Sequence, residues 1–152
     1  MTGNPGELLT DWLHRVKKAQ IVYTRSAASL EKIHYWLGGT IIVLSTLAGA
    51  SLFATMLYLK VASSIASIIA AVLAGFQTFY RLSERAERFR LIGAKYGELR
   101  MELEQKLTFL PQEPELEQYV ESFRERWNRL REDAPPAPQR IWDKISKDKK
   151  QP

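Results

Sequence analysis

From Ile33 to Leu59 the chain carries no Asp, Glu, Lys or Arg, and after the single Lys60 it is uncharged again from Val61 to Tyr80. The hydrocarbon core of a bilayer is about 30 Å thick, and a helix that crosses it needs roughly 20 consecutive, mostly apolar residues. Both runs reach that length, and one charged residue separates them. The expectation is an all-α membrane protein. It has a two-transmembrane helical hairpin, with spans at 33–59 and 64–80 and a short external turn at 60–63. Any chemistry then has to come from the segments that flank the hairpin.

The mean hydropathy of −0.25 hides these runs, because it averages them with arms dense in Arg, Lys and Glu. A chain of 152 residues holds one domain or one elongated helical unit. A signal peptide does not fit: the first apolar run starts after about thirty residues, is too long for an h-region, and leads into a second run where a cleavage site would stand. Cysteine is absent, which excludes disulfides, thiolate metal sites and a Cys nucleophile. The net charge of +5 matters less than its placement. Arg15, Lys17, Lys18, Arg25 and Lys32 precede the first span, and Arg81, Arg85, Arg88, Arg90, Lys95 and Arg100 follow the second. The positive-inside bias puts both termini in the cytoplasm and the turn outside. Arms beside a membrane already have a reason to be basic, so no nucleic-acid partner is expected.

The arms carry helical seams. Before the first span, Leu9, Trp12, Val16, Ala19, Tyr23, Ser26, Leu30 and Ile33 recur at alternating steps of three and four, the pattern of a helix packed along another helix. After the second, Leu82, Phe89, Tyr96, Leu103 and Leu110 are spaced by seven, and Ile92 and Leu99 supply complementary positions. No proline interrupts Glu7–Leu59 or Ser64–Leu110. Each span and its arm (1–32 and 81–110) can therefore form one helix, about 80 Å and about 70 Å long at 1.5 Å per residue. The long cytoplasmic extensions then pack as an antiparallel coiled coil within one chain. Leu30 falls near Leu82, Tyr23 near Phe89, Val16 near Tyr96 and Leu9 near Leu103. Gly38 and Gly39, at the start of the first span, permit a kink or a close helix contact.

The last segment, 111–152, reads differently. Pro111 ends the second helix, and Pro114 suits the first turn of a new one that opens with acidic residues. Leu116, Tyr119, Val120, Phe123, Trp127 and Leu130 form an apolar stripe at helical spacing. Such a C-terminal amphipathic helix needs a surface to cover: the base of the two arms, or that of a neighbouring subunit. Ala134–Pro138 is a stiff extended break. Arg140–Lys147 can add two helical turns with Ile141, Trp142 and Ile145 inward.

Within the spans, small and weakly polar residues gather. Ser64, Ser67, Ala71, Gly75 and Thr78 share one face of the second span, and Ser45, Thr46, Ala48, Gly49, Ala50 and Ser51 crowd the middle of the first. Small faces let helix backbones approach in lipid, where no hydrophobic force joins helices. Ser45, Gly49, Ser64, Ser67, Ala71, Gly75 and Thr78 are thus candidate helix-packing or pore-lining positions. Either they pack the hairpin against itself or they meet other subunits, and a single hairpin cannot enclose a channel, so a pore requires a homo-oligomer. No Asp, Glu, Arg or Lys lies within either span, and Gln77 is the only amide. A pore lined by this chain would be controlled by shape and wetting more than by charge.

Catalytic signals are thin, and the chain reads as a non-enzyme with no metal or other cofactor. His14 and His34 are the only histidines, and neither has a partner at metal-ligand spacing. No glycine-rich phosphate loop is present. Lys32, Arg81, Arg85 and Arg88 are candidate contacts for lipid headgroups or another anion.

Three stretches carry a family resemblance: the approach AQIVYTRSAASLEKIHYWLG, the run RAERFRLIGAKYGELRMELE directly after the second span, and the close PPAPQRIWDKI. With two spans joined by a minimal turn, they make the chain resemble the SLATT family, bacterial two-transmembrane effectors found beside SMODS nucleotidyltransferases and SLOG proteins. The resemblance covers about residues 7–145 and brings no catalytic residues with it. It implies a multi-pass protein of the bacterial inner (cytoplasmic) membrane that acts in phage defence or a similar conflict. Such an effector, on a signal from an operon-encoded sensor or nucleotidyltransferase, oligomerises or opens and breaches the membrane. Composite members carry a fused sensor or enzyme domain, which this sequence does not show. Two other functions compete. One is a non-conducting membrane scaffold that recruits or restrains a cytoplasmic partner. The other is a holin-like lysis protein, a reading that the long arms weaken.

Overall fold

The computed structural model describes residues 5–50, 56–109 and 115–148, and among these the structure is all-helical. Helix α1 runs Pro5–Ala50, α2 Leu57–Tyr80, α3 Leu82–Thr108, α4 Glu115–Asp133 and α5 Gln139–Asp148. Pro5 stands at the first helical position, where its missing N–H removes no intrahelical bond. Pro111 and Pro114 lie outside the described residues.

Two expected boundaries are corrected. Residues 60–63 are not a turn. Met56 is extended (φ −85°, ψ 131°), α2 starts at Leu57, and the Lys60 amide donates to the Met56 carbonyl at 3.4 Å. The expected helix Glu7–Leu59 is therefore interrupted at Met56; α1 is described as far as Ala50, residues 51–55 lie outside the described residues, and the described apolar helical segments are 33–50 and 57–80. Lys60 marked the turn because it is the only charge, yet lysine is a good helix former and its stem can carry the charge outward. Ser63 and Ser64, which look like turn residues, instead return their hydroxyls to the Lys60 carbonyl at 2.8 and 2.9 Å, a bond that lets serine sit in a helix.

The second correction is at Arg81. Ser64–Leu110 is not one helix: Arg81 is left-handed, at φ 44° and ψ 46°, and separates α2 from α3. An L-residue there is strained by roughly 1–2 kcal/mol, which is why glycine usually holds this position after a helix. Arg81 is tied to the first turn of α3 by two bonds. Its carbonyl accepts the Arg85 amide at 3.1 Å, and its guanidinium pairs with Glu84 at 3.1 Å.

The chain divides into two compact units, residues 1–27 with 87–152, and residues 28–86. The first is a helical bundle. On α1, Leu9, Val16, Ala19, Val22, Tyr23, Ser26 and Ala27 are buried, and on α3 Phe89, Ile92, Tyr96, Leu99 and Leu103. The two helices are antiparallel and pair within the chain. Tyr23 lies between Phe89 and Tyr96, with ring centroids 5.9 and 5.4 Å away. A Cβ added to Gly93 would come within 3.1 Å of the Thr24 hydroxyl and 3.4 Å of its backbone nitrogen, and one on Gly97 within 2.9 Å of the Gln20 amide. These glycines set how closely the two backbones approach.

Helix α4 covers this pair in the same chain. Leu116, Phe123 and Leu130 are buried, and Phe123 stacks on Trp12 at 5.6 Å while Trp127 meets Trp12 edge-on at 5.7 Å. Arg126 clasps Glu102 of α3 with two bonds of 2.8 and 2.6 Å. The proline-rich break follows α1, since Tyr23 donates its hydroxyl to the Pro135 carbonyl at 3.1 Å. Helix α5 then buries Ile145, and Lys18 of α1 donates to Ser146 at 2.7 Å and lies 5.5 Å from the Trp142 ring. Two paired helices thus become a four-helix core, since the amphipathic stripe of α4 finds its surface at home.

The second unit contains the later part of α1, all of α2 and the start of α3. Helices α1 and α2 are each long and apolar enough to cross a membrane.

Candidate membrane and assembly surface

In the hairpin unit, α2 turns Ser63, Ala66, Ala70, Leu73, Ala74 and Gln77 away from solvent, and α1 does so with His34, Leu37, Gly38, Ile41, Leu44 and Ala48. Steps of three and four mark these as the facing stripes of the two helices. Among the described residues of this unit, only Ala70, Leu82 and Ala86 are buried. Outside the stripes, large apolar side chains stand exposed on both helices, among them Trp36 at 72%, Ile42 at 67%, Ile68 at 65% and Phe79 at 82%. A monomeric protein in water rarely shows so continuous an apolar surface.

Polar atoms on that surface are satisfied locally. Thr40, Thr46 and Thr78 donate to the carbonyls of Trp36, Ile42 and Ala74 at 2.8–3.0 Å. Hydroxyls bonded in this way present little unmet polarity to hydrocarbon. One polar contact crosses the hairpin: Gln77 Nε2 donates to His34 Nδ1 at 3.0 Å. Neither residue stood out in the sequence as the other's partner, because 43 positions separate them. His14 is exposed on the other unit. Among the described residues, no group of three or more His, Cys, Asp or Glu could hold a metal ion.

The small-residue positions lie beside the facing stripes. Ser45, Gly49, Ser64, Ser67, Ala71, Gly75 and Thr78 are all exposed. A Cβ built on Gly49 or Gly75 meets nothing within 4 Å, so no contact inside the chain requires glycine at either position. Ser45, Ala48 and Gly49 of α1 and Ser67, Ala71 and Ala74 of α2 line an open groove of about 500 Å³ along the hairpin.

The basic candidates divide between the units. Lys32, Arg81 and Arg85 belong to the hairpin unit and Arg88 to the bundle. Arg81 is paired with Glu84. Lys32, Arg85 and Arg88 are exposed, and no carboxylate pairs with them among the described residues.

In the bundle, ionisable aromatics act as core. Burial first, and then the Tyr23 hydroxyl, push the Tyr96 phenol up to about 12, against the opposing effect of Arg131 and of a hydrogen bond with Trp127. Burial and the Glu102 carboxylate likewise raise Tyr119. These phenols stay neutral and hold the core together. An open cleft of about 340 Å³ between α3 and α4 mixes Lys95, Arg126 and Arg129 with Glu98, Glu102 and Asp133.

No family model, no curated protein and no solved structure matches this chain.

Sequence reasoning missed three parts of this arrangement. Val22 and Ala27 are buried beside the seam it drew. The close approach at Gly93 and Gly97 has a legible signal, a small-x-x-x-small pair, which is easily passed over outside a membrane span. Trp12, assigned to the seam between the arms, packs on α4.

Proposed function

We propose that this protein is an integral membrane effector of a bacterial antiviral or conflict system. Hairpins assemble side by side through their small-residue groove and, on a signal from a partner enzyme or sensor, open or disrupt the membrane. The observation that carries the reading is the open groove lined by Ser45, Gly49, Ser67 and Ala71, next to an exposed apolar surface; Gly75, one turn from Ala71, continues the small face of α2 beyond it. In lipid, close backbone approach through small residues is a main source of helix association. The family resemblance of the three quoted stretches supplies the antiviral context and the partner enzyme. The charge bias places both termini in the cytoplasm, with Lys60 outside.

The test is Gly75→Leu. A Cβ added at Gly75 meets nothing within 4 Å among the described residues, so insertion and the hairpin should survive. Assembly through the small face that Gly75 shares with Ala71 should fail, and with it toxicity and loss of membrane potential, followed with a potential-sensitive dye after induced expression. Ile69→Leu, on the large apolar face, should be nearly neutral. A Gly75→Leu protein that assembles and kills as the parent does would remove the small face of α2 from the mechanism.

A non-conducting scaffold is the second reading, favoured by the open, mixed-charge cleft on the bundle, a surface suited to a protein partner. Purified protein that assembles in bilayers without passing current, while retaining a cytoplasmic partner through that cleft, would select it. A holin-like lysis role has no structural feature of its own in support.

A further inference from the structure

The first turns of the apolar part of α1 have a polarity and shape that the assembly groove does not explain. Lys32, Ile33, Trp36, Leu37 and Thr40 line a cleft of about 280 Å³. Around the same helix, Tyr35, Trp36, Gly39, Thr40, Val43 and Leu44 line a second cleft of about 490 Å³. Trp36, 72% exposed, is the ridge between them. Gly39 deepens the second cleft, and a Cβ placed there would touch nothing in the chain. Both clefts have largely apolar walls, because the Thr40 hydroxyl is committed to the Trp36 carbonyl at 2.9 Å. At one end stands Lys32, exposed and without a carboxylate partner among the described residues. Its neighbour Glu31 projects about 100° away around the helix.

We propose that this face of α1 binds one anionic phospholipid, with the phosphate on Lys32 and one acyl chain on each side of Trp36. The proposal rests on the membrane reading above. Three observations select the occupant. The site is cationic at one end only, which matches a headgroup of net negative charge. Two clefts flank one ridge, which matches two chains on one glycerol. From Lys32 to Val43 the helix rises about 16 Å at 1.5 Å per residue, close to the half-thickness of roughly 15 Å that a lipid of one leaflet spans. Trp36 and Tyr35 stand just inside Lys32, at the level where amphipathic rings sit in a membrane interface. The lipid would thus read the helix at the boundary of the hairpin, on residues other than those that line the groove of Ser45, Gly49 and Ala71.

The test uses full-length protein purified in detergent, stripped of lipid, and offered dioleoylphosphatidylglycerol or dioleoylphosphatidylcholine, with bound lipid counted by native mass spectrometry. The parent should retain the glycerol lipid preferentially. Lys32→Gln should lower that retention about fivefold, the scale of one basic contact with an anionic lipid surface, and leave the choline lipid unchanged. Gly39→Leu, which fills one cleft, should weaken both lipids while helical content and insertion are kept. Lys60→Gln, at the other end of the apolar helices, should match the parent. Equal retention of the two lipids by the parent, or an unchanged Lys32→Gln, overturns the proposal. So does competition by free glycerophosphoglycerol as effective as that by the whole lipid, which would make this an anion site without chain recognition. Recovery of the parent as a monodisperse species without detergent would instead sink the membrane reading itself.

Discussion

Phe123 and Phe79 are the same side chain in opposite situations. Phe123, on α4 of the bundle, is wholly buried against Trp12, and Phe79, on α2 of the hairpin unit, is 82% exposed. The contrast holds across the two units. In the bundle, apolar stripes on four helices close on one another, and the aromatic residues Trp12, Tyr23, Phe89, Tyr96 and Phe123 meet in a shared core. In the hairpin unit the facing stripes are narrow and rich in alanine, and the larger side chains look outward. One unit satisfies its hydrophobic pattern within the chain. The other leaves large apolar side chains exposed on two helices long and apolar enough to cross a membrane. The lesson is that a run's hydrophobicity and its burial are separate quantities. Their mismatch, more than apolar length alone, is what points to lipid or to further copies.

The sharpest way to break that contrast is to truncate both rings. Phe123→Ala should destabilise the bundle by about 3–5 kcal/mol, the usual effect of removing a buried phenylalanine. Phe79→Ala should stay within about 0.5 kcal/mol, as for a largely exposed side chain whose ring contact is with its chain neighbour Tyr80. Thermal unfolding in micelles, followed by near-ultraviolet circular dichroism, reads both. Similar losses at the two positions would mean that Phe79 is covered in the working protein, and would move α2's outer face from lipid to a subunit contact.

A smaller effect separates the units by pH. Tyr96 has its phenol raised from an ordinary value of 10.0 to about 12. The unfolded chain therefore releases this proton before the folded bundle does. The stabilisation is fully present below pH 10 and is lost as pH climbs toward 12, by on the order of 2 kcal/mol. Stability measured across that window should fall, and Tyr96→Phe should flatten the fall. A parent and variant with the same alkaline slope would show that Tyr96 reaches solvent in the folded state.

The smallest effect concerns the polar contact across the hairpin. Coupling between Gln77 and His34, measured by a double-mutant cycle with Gln77→Leu and His34→Ala, should be about 0.6 kcal/mol, the average for interhelical hydrogen bonds in membranes. A value several times larger would mark the pair as a main determinant of hairpin register, making this unit less dependent on its surroundings than the contrast holds.

Periodicity made much of the bundle legible. The seam residues Leu9, Val16 and Tyr23 and their counterparts Phe89, Tyr96 and Leu103 are buried, and the stripe of α4 packs as an amphipathic helix should. Local punctuation was read less well. Lys60 looked like a turn and proved helical, because one charge carries no backbone preference against a helix. Arg81 looked helical and proved left-handed, because the strain of such a residue is offset by bonds that no local pattern announces. The small-residue set was visible at once, but its relation to the hairpin was not. Ala70 and Gly75 both read as small, yet one is buried and the other open.

By itself, then, the sequence determined the helical class, the two apolar runs, the basic flanks and the periodic faces, because each depends on residue type and on spacing within one helix. Tertiary structure decided that α4 and α5 cover the chain's own arms, that Gln77 reaches His34, that Gly93 lets α3 approach Thr24, and that the groove at Gly49 and Ala71 stays open. Those outcomes depend on the rotation of one helix about its axis against another. A shift of one residue turns a helix by about 100°, enough to exchange a buried face for an exposed one, and it is set by the fit of distant side chains that no single helix contains.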